Sequence, residues 1–267
     1  MGKVIPNISE NEAAFIAAQK VFFVATAPLS AEHHISVSPK APGSSCIVLG
    51  PNTVAYADLT GSGAETAAHV LQNGRMTLLF CNLEHGAPKI LRLHGKAQVI
   101  MAEDVPPGLK AKFPQEVTKS FGFRAVYKLN VHRVSSSCGF SLPIMEFQKY
   151  RGTLEEYACR EGKVGIFNYN TLKNSFSIDG LPSLALLRSD APKYVEPIQE
   201  EGFIFGKVTD KPFHKDAISK ALKMHATTKG SVQIRIIDLC LLGMVVFAVG
   251  VVTGSFVLMQ AKQSISV

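Results

Sequence analysis

Residues 20–137 consist of short apolar or alternating segments separated by turn residues, and this spacing limits the chain to a β-rich fold. Alternation of apolar and polar residues over about 4–8 positions is typical of a half-buried strand. The segments that fit a strand are KVFFVATAPL, HHISVSPK, SCIVLG, TVAYADL, RMTLLFCNL, KILRLHGKAQVIM and RAVYKLNVHRVSSS. The first two pair around a turn, and so do the third and fourth, so each pair is expected to form a hairpin. Strands at this spacing, with helices on the flank, predict a mainly β fold with a small closed or partly open barrel.

Helices are expected beside these strands. Residues 9–20 begin with Ser9 and carry Glu12 three positions later, which is the spacing of a capping box. Residues 63–74, GAETAAHVLQNG, fit a helix that ends at a C-terminal Gly74. A further helix is predicted from Met145 over the sequence MEFQKYRGTLEEYACREG, and the segment up to about residue 212 is predicted to be polar and irregular.

The C-terminal region contains an uncharged run from Leu239 to Met259, 21 residues long. A helix of that length spans roughly 30 Å, the thickness of the bilayer hydrocarbon. The alternative, a buried core helix, usually keeps a polar stripe that this run lacks. The chain is therefore predicted to comprise a barrel domain over residues 1–190, a polar and basic linker over residues 191–235, and a transmembrane tail anchor over residues 236–260.

The distribution of basic residues predicts the orientation and the membrane of this anchor. Four basic residues precede it closely, whereas Lys262 alone follows it. The positive-inside rule then leaves the barrel in the cytosol. A single lysine in the tail favours the endoplasmic reticulum over the mitochondrial outer membrane.

Charge and cysteine usage narrow the remaining partners. A formal net charge of +7 fits a domain held near anionic lipid. No basic run with interleaved aromatic residues argues for nucleic acid. The five cysteines are scattered and odd in number, which indicates a reduced intracellular protein. The pair His33-His34 has no third ligand at metal spacing, so no metal site is expected.

The sequence LTGSGAET, residues 59–66, follows a predicted strand and opens a predicted helix. Its glycines permit the close approach of backbone N–H groups to an anion, as in many phosphate sites. The loop contains no lysine or arginine, and Glu65 adds a negative charge. On its residues alone the loop is a turn, and an anion site is the alternative.

The order of three stretches resembles the pyridoxamine 5'-phosphate oxidase-like family of FMN-binding split barrels. These stretches are FFVATAP…ISVSPK, VAYADLTGSG…HVLQNGRMTLLF and ILRLHGKAQVI, and NSFSIDGLP further resembles a C-terminal signature of a eukaryotic branch. The resemblance covers roughly residues 13–190. It implies a homodimeric split β-barrel that holds flavin mononucleotide (FMN) in clefts between the subunits.

The resemblance also implies site residues. The family grips the FMN phosphate with the end of its second strand and with the loop and helix start after its fourth. Lys40 would supply a point charge there, and the serine and threonine hydroxyls would supply donors. Two further side chains, on the strand before Gly95, would face the isoalloxazine edge. The full set is Ser36, Ser38, Lys40, Thr60, Gly61, Ser62, Gly63, Thr66, Arg92 and His94.

Three functions fit this reading. The first is a membrane-tethered, FMN-dependent oxidoreductase that acts on a small cytosolic substrate. The second is a split barrel without flavin that serves as a membrane-anchored interaction module, and the third is a barrel that binds another cofactor such as haem. The alternatives arise because the oxidase places basic residues where this chain has Glu65 and Thr66.

Overall fold

The computed structural model describes residues 2–188, 191–192 and 195–209. The strands are β1 (Lys3–Ile5), β2 (Phe22–Thr26), β3 (Ser36–Lys40), β4 (Cys46–Gly50), β5 (Thr53–Leu59), β6 (Arg75–Cys81), β7 (Ile90–Met101), β8 (Phe123–Ser137), β9 (Val195–Glu200) and β10 (Phe203–Val208). The helices are α1 (Glu10–Ala18), α2 (Glu65–Asn73), α3 (Pro107–Lys110), α4 (Gln115–Thr118) and α5 (Thr153–Lys173), with short 3-10 turns at Gly43–Ser45 and Leu184–Leu187. The expected mainly β fold with flanking helices is confirmed.

Eight of the strands form one antiparallel sheet in the order β3-β2-β6-β7-β8-β5-β4, and β1 pairs with the end of β8. Both expected hairpins form: β2 pairs with β3, and β4 pairs with β5. Within the described residues, β3 and β4 each have a strand neighbour on one side only. The sheet therefore has two free ends, as the partly open form of the expected barrel requires.

The core lies on the concave side of this sheet and is built from alternate strand positions. Along β7 the buried residues alternate with partly exposed ones, so one face is apolar. Aromatic rings fill the centre: Phe22 stacks on Phe80 with ring centroids 5.6 Å apart. Tyr56 stacks on Tyr127 at 4.9 Å. The helix α2 closes one side of this cluster with its buried apolar residues.

Strand β5 and the first half of β8 are buried on both faces because a second apolar cluster covers their other side. Phe113 and Val117, from the segment that contains α3 and α4, pack there against Ala57 and Val126. This connection between β7 and β8 thus has a packing role. It explains why TVAYADL is apolar at almost every position instead of alternating.

Two glycines are required by the backbone. Gly74 ends α2 with a φ of 71°, in the left-handed region that favours glycine. Gly95 lies at a bulge between β7 and β8, where an added Cβ would come within 2.2 Å of the Asn130 carbonyl oxygen. The predicted cap at Asn73-Gly74 is confirmed, as is the capping-box serine, since the Ser9 hydroxyl accepts from the Glu12 N–H.

The helix predicted from Met145 is wrong in its first half. Residues 145–152 have no regular structure, and α5 begins at Thr153. The segment instead lies along the barrel: the Met145 N–H donates to the Leu83 carbonyl over 2.6 Å, and the Tyr150 hydroxyl donates to the Lys20 carbonyl over 3.1 Å. These two contacts hold the segment against the barrel.

The C-terminal part of the described chain also differs from the expectation. Residues 195–208, predicted to lie in a linker, form the hairpin β9–β10, which packs on α5. The expected transmembrane anchor over residues 236–260 lies outside the described residues. Among the residues described, no helix is long and apolar enough to cross a membrane.

Candidate functional site

The loop between β5 and α2, residues 60–64, is held by its carbonyl groups. The Gly61 oxygen accepts from Nη1 of Arg124 at 3.0 Å and from Nδ2 of Asn174 at 2.9 Å. The Gly63 oxygen accepts from Nη2 of Arg124 at 3.2 Å, and the Ala64 oxygen accepts from the Ser183 hydroxyl at 2.6 Å. Three side chains from other parts of the chain therefore fix the loop from one side.

This arrangement directs backbone donors to the opposite side of the loop. In a planar trans peptide the N–H points away from the carbonyl. Since the Gly61 and Ser62 carbonyls face Asn174, the N–H groups of Ser62 and Gly63 point away from it. Within the described residues these two N–H groups donate to no protein acceptor. Successive free N–H groups of this kind form an anion-binding concavity.

A buried charge cluster lies beneath the loop. Asp58, at the end of β5, accepts from Nζ of Lys40 at 2.7 Å and from Nε of Arg124 at 2.8 Å. Burial alone would raise the pKa of Asp58, but the two cations hold it below its usual value. Two cations and one carboxylate leave one net positive charge in this buried cluster, whereas Glu65 at the end of the loop carries a negative charge.

A cavity of about 600 Å³ opens on this side of the loop. The hydroxyls of Ser36 and Ser38 line it from the edge strand β3, and Ser62 and Gly63 line it from the loop. Phe176, together with the β10 rings of Phe203 and Phe205, forms an apolar wall. The volume falls within the range of about 300–1,000 Å³ usual for sites that bind small molecules and cofactors.

Comparison with known proteins assigns the chain to a family. Residues 8–138 match the family model described as pyridoxamine 5'-phosphate oxidase. The pyridoxamine 5'-phosphate oxidase family protein ustO of Aspergillus flavus is 36% identical over 204 residues, which cover 71% of this chain and 80% of that protein. The chain belongs to the pyridoxamine 5'-phosphate oxidase family. The family match ends before Lys173, Asn174 and Phe205, which border the cavity or its loop.

Solved structures share part of the fold at low identity. HupZ of Group A Streptococcus is 20% identical, covers 48% of this chain and 91% of its own, and has a TM-score of 0.36. An FAD-binding protein of Mesorhizobium loti is 12% identical, with coverages of 51% and 95% and a TM-score of 0.37. An FAD-binding protein of Mycobacterium smegmatis is 10% identical, with coverages of 50% and 97% and a TM-score of 0.34. At these TM-scores the similarity says nothing about what this chain binds.

Four of the residues that the family resemblance implies are brought together in the cavity. They are Ser36, Ser38, Ser62 and Gly63. The remaining phosphate-site positions lie around it without lining it. Their polar groups have other partners or are buried. Their role toward a cofactor stays a prediction.

Lys40 and Thr60 are engaged with the protein itself. The Lys40 ammonium pairs with Asp58. The Thr60 side chain is buried and its hydroxyl donates to the Gly122 carbonyl over 2.9 Å. Gly61 contributes the carbonyl that Arg124 and Asn174 bind, and Thr66 is buried in the first turn of α2. These residues therefore build and position the loop.

Arg92 and His94 lie on the face of β7 that points away from the core, and neither lines the cavity. The Arg92 guanidinium donates to the Ser137 hydroxyl at 3.1 Å. The His94 ring bonds the hydroxyls of Thr77 at 3.0 Å and Ser135 at 3.3 Å. Burial, with the nearby arginines, lowers the pKa of His94, so its ring is neutral at physiological pH. The structure thus separates these two side chains from the four cavity residues.

Glu65 lies in the cavity wall, but its carboxylate is paired with backbone donors. Oε2 accepts from the Ala64 N–H at 3.1 Å, and Oε1 accepts from the Ile178 N–H at 3.3 Å. The carboxylate also sits at the N-terminus of α2, where a negative charge is stabilised by the helix dipole. Its position in the first turn therefore has a structural cause.

Sequence reasoning missed Arg124, and it assigned no role to the individual residues of NSFSIDGLP. One signal pointed to Arg124: Asp58 lies in a strand that is otherwise apolar, and a buried carboxylate needs a cationic partner. The NSFSIDGLP segment acts as a clamp. Asn174 holds the loop, and the Asp179 carboxylate accepts from the backbone N–H of His34 at 3.0 Å and bonds its ring at 2.7 Å. The segment thus joins the loop to the turn before β3.

Proposed function

We propose that the chain is an FMN-dependent oxidoreductase that acts on a small cytosolic substrate. One observation supports this most: two positions of β3 and two of the loop after β5, which the resemblance assigns to the FMN phosphate, border one cavity, whereas Lys40 at the end of β3 does not. Ser36, Ser38, Ser62 and Gly63 supply hydroxyl and N–H donors there. A phosphate is recognised by such donors.

The residues present fit the cofactor. The cavity lining combines hydroxyl and N–H donors with the rings of Phe176, Phe203 and Phe205, and a ligand with a phosphate and a flat aromatic ring system uses both. Bound flavin supplies hydride and electron transfer. This chain would bind the phosphate through the loop N–H groups, and the phenylalanine wall would exclude water from the cavity.

The visible absorption spectrum of the purified full-length chain in detergent tests this function. The bands of oxidised flavin are expected after incubation with FMN and removal of unbound FMN. A haem spectrum would indicate the other cofactor. A well-folded chain that takes up no flavin in titration would contradict the oxidoreductase.

One observation favours a second candidate, a barrel without flavin that acts as an interaction module. The cation expected at the phosphate, Lys40, is paired with Asp58, and Glu65 carries a negative charge into the cavity wall. If the site holds no cofactor, the folded chain is expected to show no visible absorption band. Capture experiments with the full-length chain would then follow.

We further propose that the protein is a homodimer tethered to the endoplasmic reticulum by its C-terminal segment. Ile35 and Val37, which border the cavity, are 73% and 63% exposed, and this supports a covering partner subunit. Sedimentation of the full-length chain measures the dimer. A glycosylation acceptor appended after Val267 is expected to be modified, whereas modification of acceptors in the barrel would reverse the topology.

A further inference from the structure

We infer that Lys173, the last residue of α5, supplies the positive charge that holds the phosphate of the ligand in the cavity. The inference rests on the proposed function and adds a residue from outside the family match. It assigns the cavity to a flat aromatic ligand with an anionic group, and it names the residue that recognises the anion.

A phosphate in the cavity needs a positive charge beside it. The loop and β3 offer hydroxyl and N–H donors, but no formal charge. Lys40 and Arg124 carry charge nearby, yet both bond Asp58. Arg124 also donates from Nη1 and Nη2 to the loop carbonyls and to Asn174. A dianionic phosphate bound by neutral donors alone would have no cation in the cavity to form an ion pair with it.

Lys173 lies in the wall of the cavity. Among the described residues that line the cavity, it is the one lysine or arginine. Its ammonium lies 3.7 Å from the centroid of the Phe205 ring. Within the described part of the chain it forms no ion pair with a carboxylate. Lys173 therefore lines the same cavity as Ser62 and Gly63, and the one carboxylate among the described lining residues, Glu65, bonds backbone N–H groups and not Lys173.

The contact with Phe205 leaves the Lys173 ammonium available to a ligand. A cation over an aromatic face is attracted by the ring, and the ring blocks one direction of approach only. The ammonium has three N–H donors, and those directed away from the ring stay available to a phosphate oxygen. The ring thus holds the ammonium in the cavity wall without neutralising it. The same wall offers Phe176 and Phe203 to the flat part of the ligand.

Paired ligands that differ only by the phosphate test the inference. The full-length chain is titrated with FMN and with riboflavin, and binding is followed by flavin fluorescence. Lys173→Gln is expected to lower the affinity for FMN about tenfold or more, which is the range of a charge-assisted contact. Its affinity for riboflavin should fall less than about threefold. Lys173→Arg keeps the charge and the ring contact and should keep most of the FMN affinity. The matched control is Lys163→Gln, on an exposed part of the same helix, which should change neither ligand.

The outcomes separate the inference from the proposed function. If the wild type binds FMN and Lys173→Gln keeps its affinity, or loses FMN and riboflavin equally, Lys173 does not recognise the phosphate. If the wild type binds neither flavin, the proposed function fails, and inorganic phosphate decides the inference. Phosphate at the ionic strength of a chloride control should then raise the melting temperature of the wild type and not that of Lys173→Gln. Equal melting shifts in both proteins would overturn it.

Discussion

The guanidinium of Arg124 donates from Nε to Oδ2 of Asp58 over 2.8 Å, and both side chains are buried. The same guanidinium holds the carbonyls of Gly61 and Gly63. One arginine therefore links the charge beneath the loop to the shape of the loop. A change at this position is expected to affect the stability of the fold and the binding of an anion together.

Arg124→Met should destabilise the protein by about 3–5 kcal/mol, because it leaves a buried carboxylate with one partner fewer. The loop carbonyls lose their donors at the same time, so the affinity for FMN should also fall. Denaturant unfolding of the full-length chain measures the first effect. The control is Arg133→Met on the exposed face of the same strand, with an expected change below about 0.5 kcal/mol. Equal unfolding of the two variants would contradict the structural role of Arg124.

Lys40→Met should lower the free energy of unfolding by about 1–3 kcal/mol, because the Lys40 ammonium bonds the buried Asp58 carboxylate. The sequence alone assigns Lys40 to the phosphate, whereas Lys173 carries that contact in our inference. The ratio of the FMN and riboflavin affinities should therefore change less in Lys40→Met than in Lys173→Gln. A larger change in Lys40→Met would indicate that Lys40, and not Lys173, binds the phosphate.

The charge cluster also predicts an acid-dependent loss of stability. The pKa of Asp58 is lower in the folded chain than in the unfolded one, where a carboxyl of this type titrates near 3.9. Its ionised form therefore stabilises the fold fully above about pH 4, and this contribution is lost as the pH falls through the folded pKa. Unfolding of the wild type and of Asp58→Asn between about pH 5 and pH 2 measures it. The wild type should lose more stability on acidification than the variant, and parallel curves would contradict the assignment.

The sequence predicts the barrel well because its strands depend on local patterns. The alternation in RMTLLFCNL, the cap at Gly74 and the turns around each hairpin are properties of neighbouring residues, and the structure confirms them. The helix from Met145 fails for the opposite reason. Its one local signal against a continuous helix is Gly152, the N-cap of α5. The contacts that hold the residues before it come from Leu83 and Lys20.

The candidate site shows the same division. The loop could be located from its glycines, but not the residues that hold it, because Arg124 and Asn174 are 63 and 113 positions away from Gly61 in the chain. The hairpin β9–β10 was hidden in a similar way. Pro197 and the glutamates of VEPIQEEG made the segment look irregular, although FIFGKV is largely apolar. Packing of the hairpin on α5 places Phe205 in the cavity wall.

Asn174→Ala tests the clamp on the loop. Asn174 is fully buried, and its amide bonds both the Gly61 carbonyl and Arg124, so its loss should cost about 1–3 kcal/mol of stability. Thermal or denaturant unfolding measures this cost. Asn168→Ala, on an exposed part of α5, serves as the control and should change stability by less than about 0.5 kcal/mol. If the two variants unfold alike, the amide does not hold the loop.

Gly206→Ala tests how the C-terminal hairpin contributes to the cavity. A Cβ at this position would lie 2.6 Å from the Thr171 carbonyl oxygen and 2.7 Å from the Ser175 Cβ, so β10 must move away from α5. We expect a loss of about 1–3 kcal/mol in stability and weaker FMN binding, because the rings of Phe203 and Phe205 move with the strand. The control is Gly108→Ala, where an added Cβ meets open space. FMN titration of both variants at a temperature where each is folded separates the two effects. An affinity that falls in Gly206→Ala alone assigns the hairpin to the site. Unchanged affinity in both variants would show that the ligand does not use the phenylalanine wall.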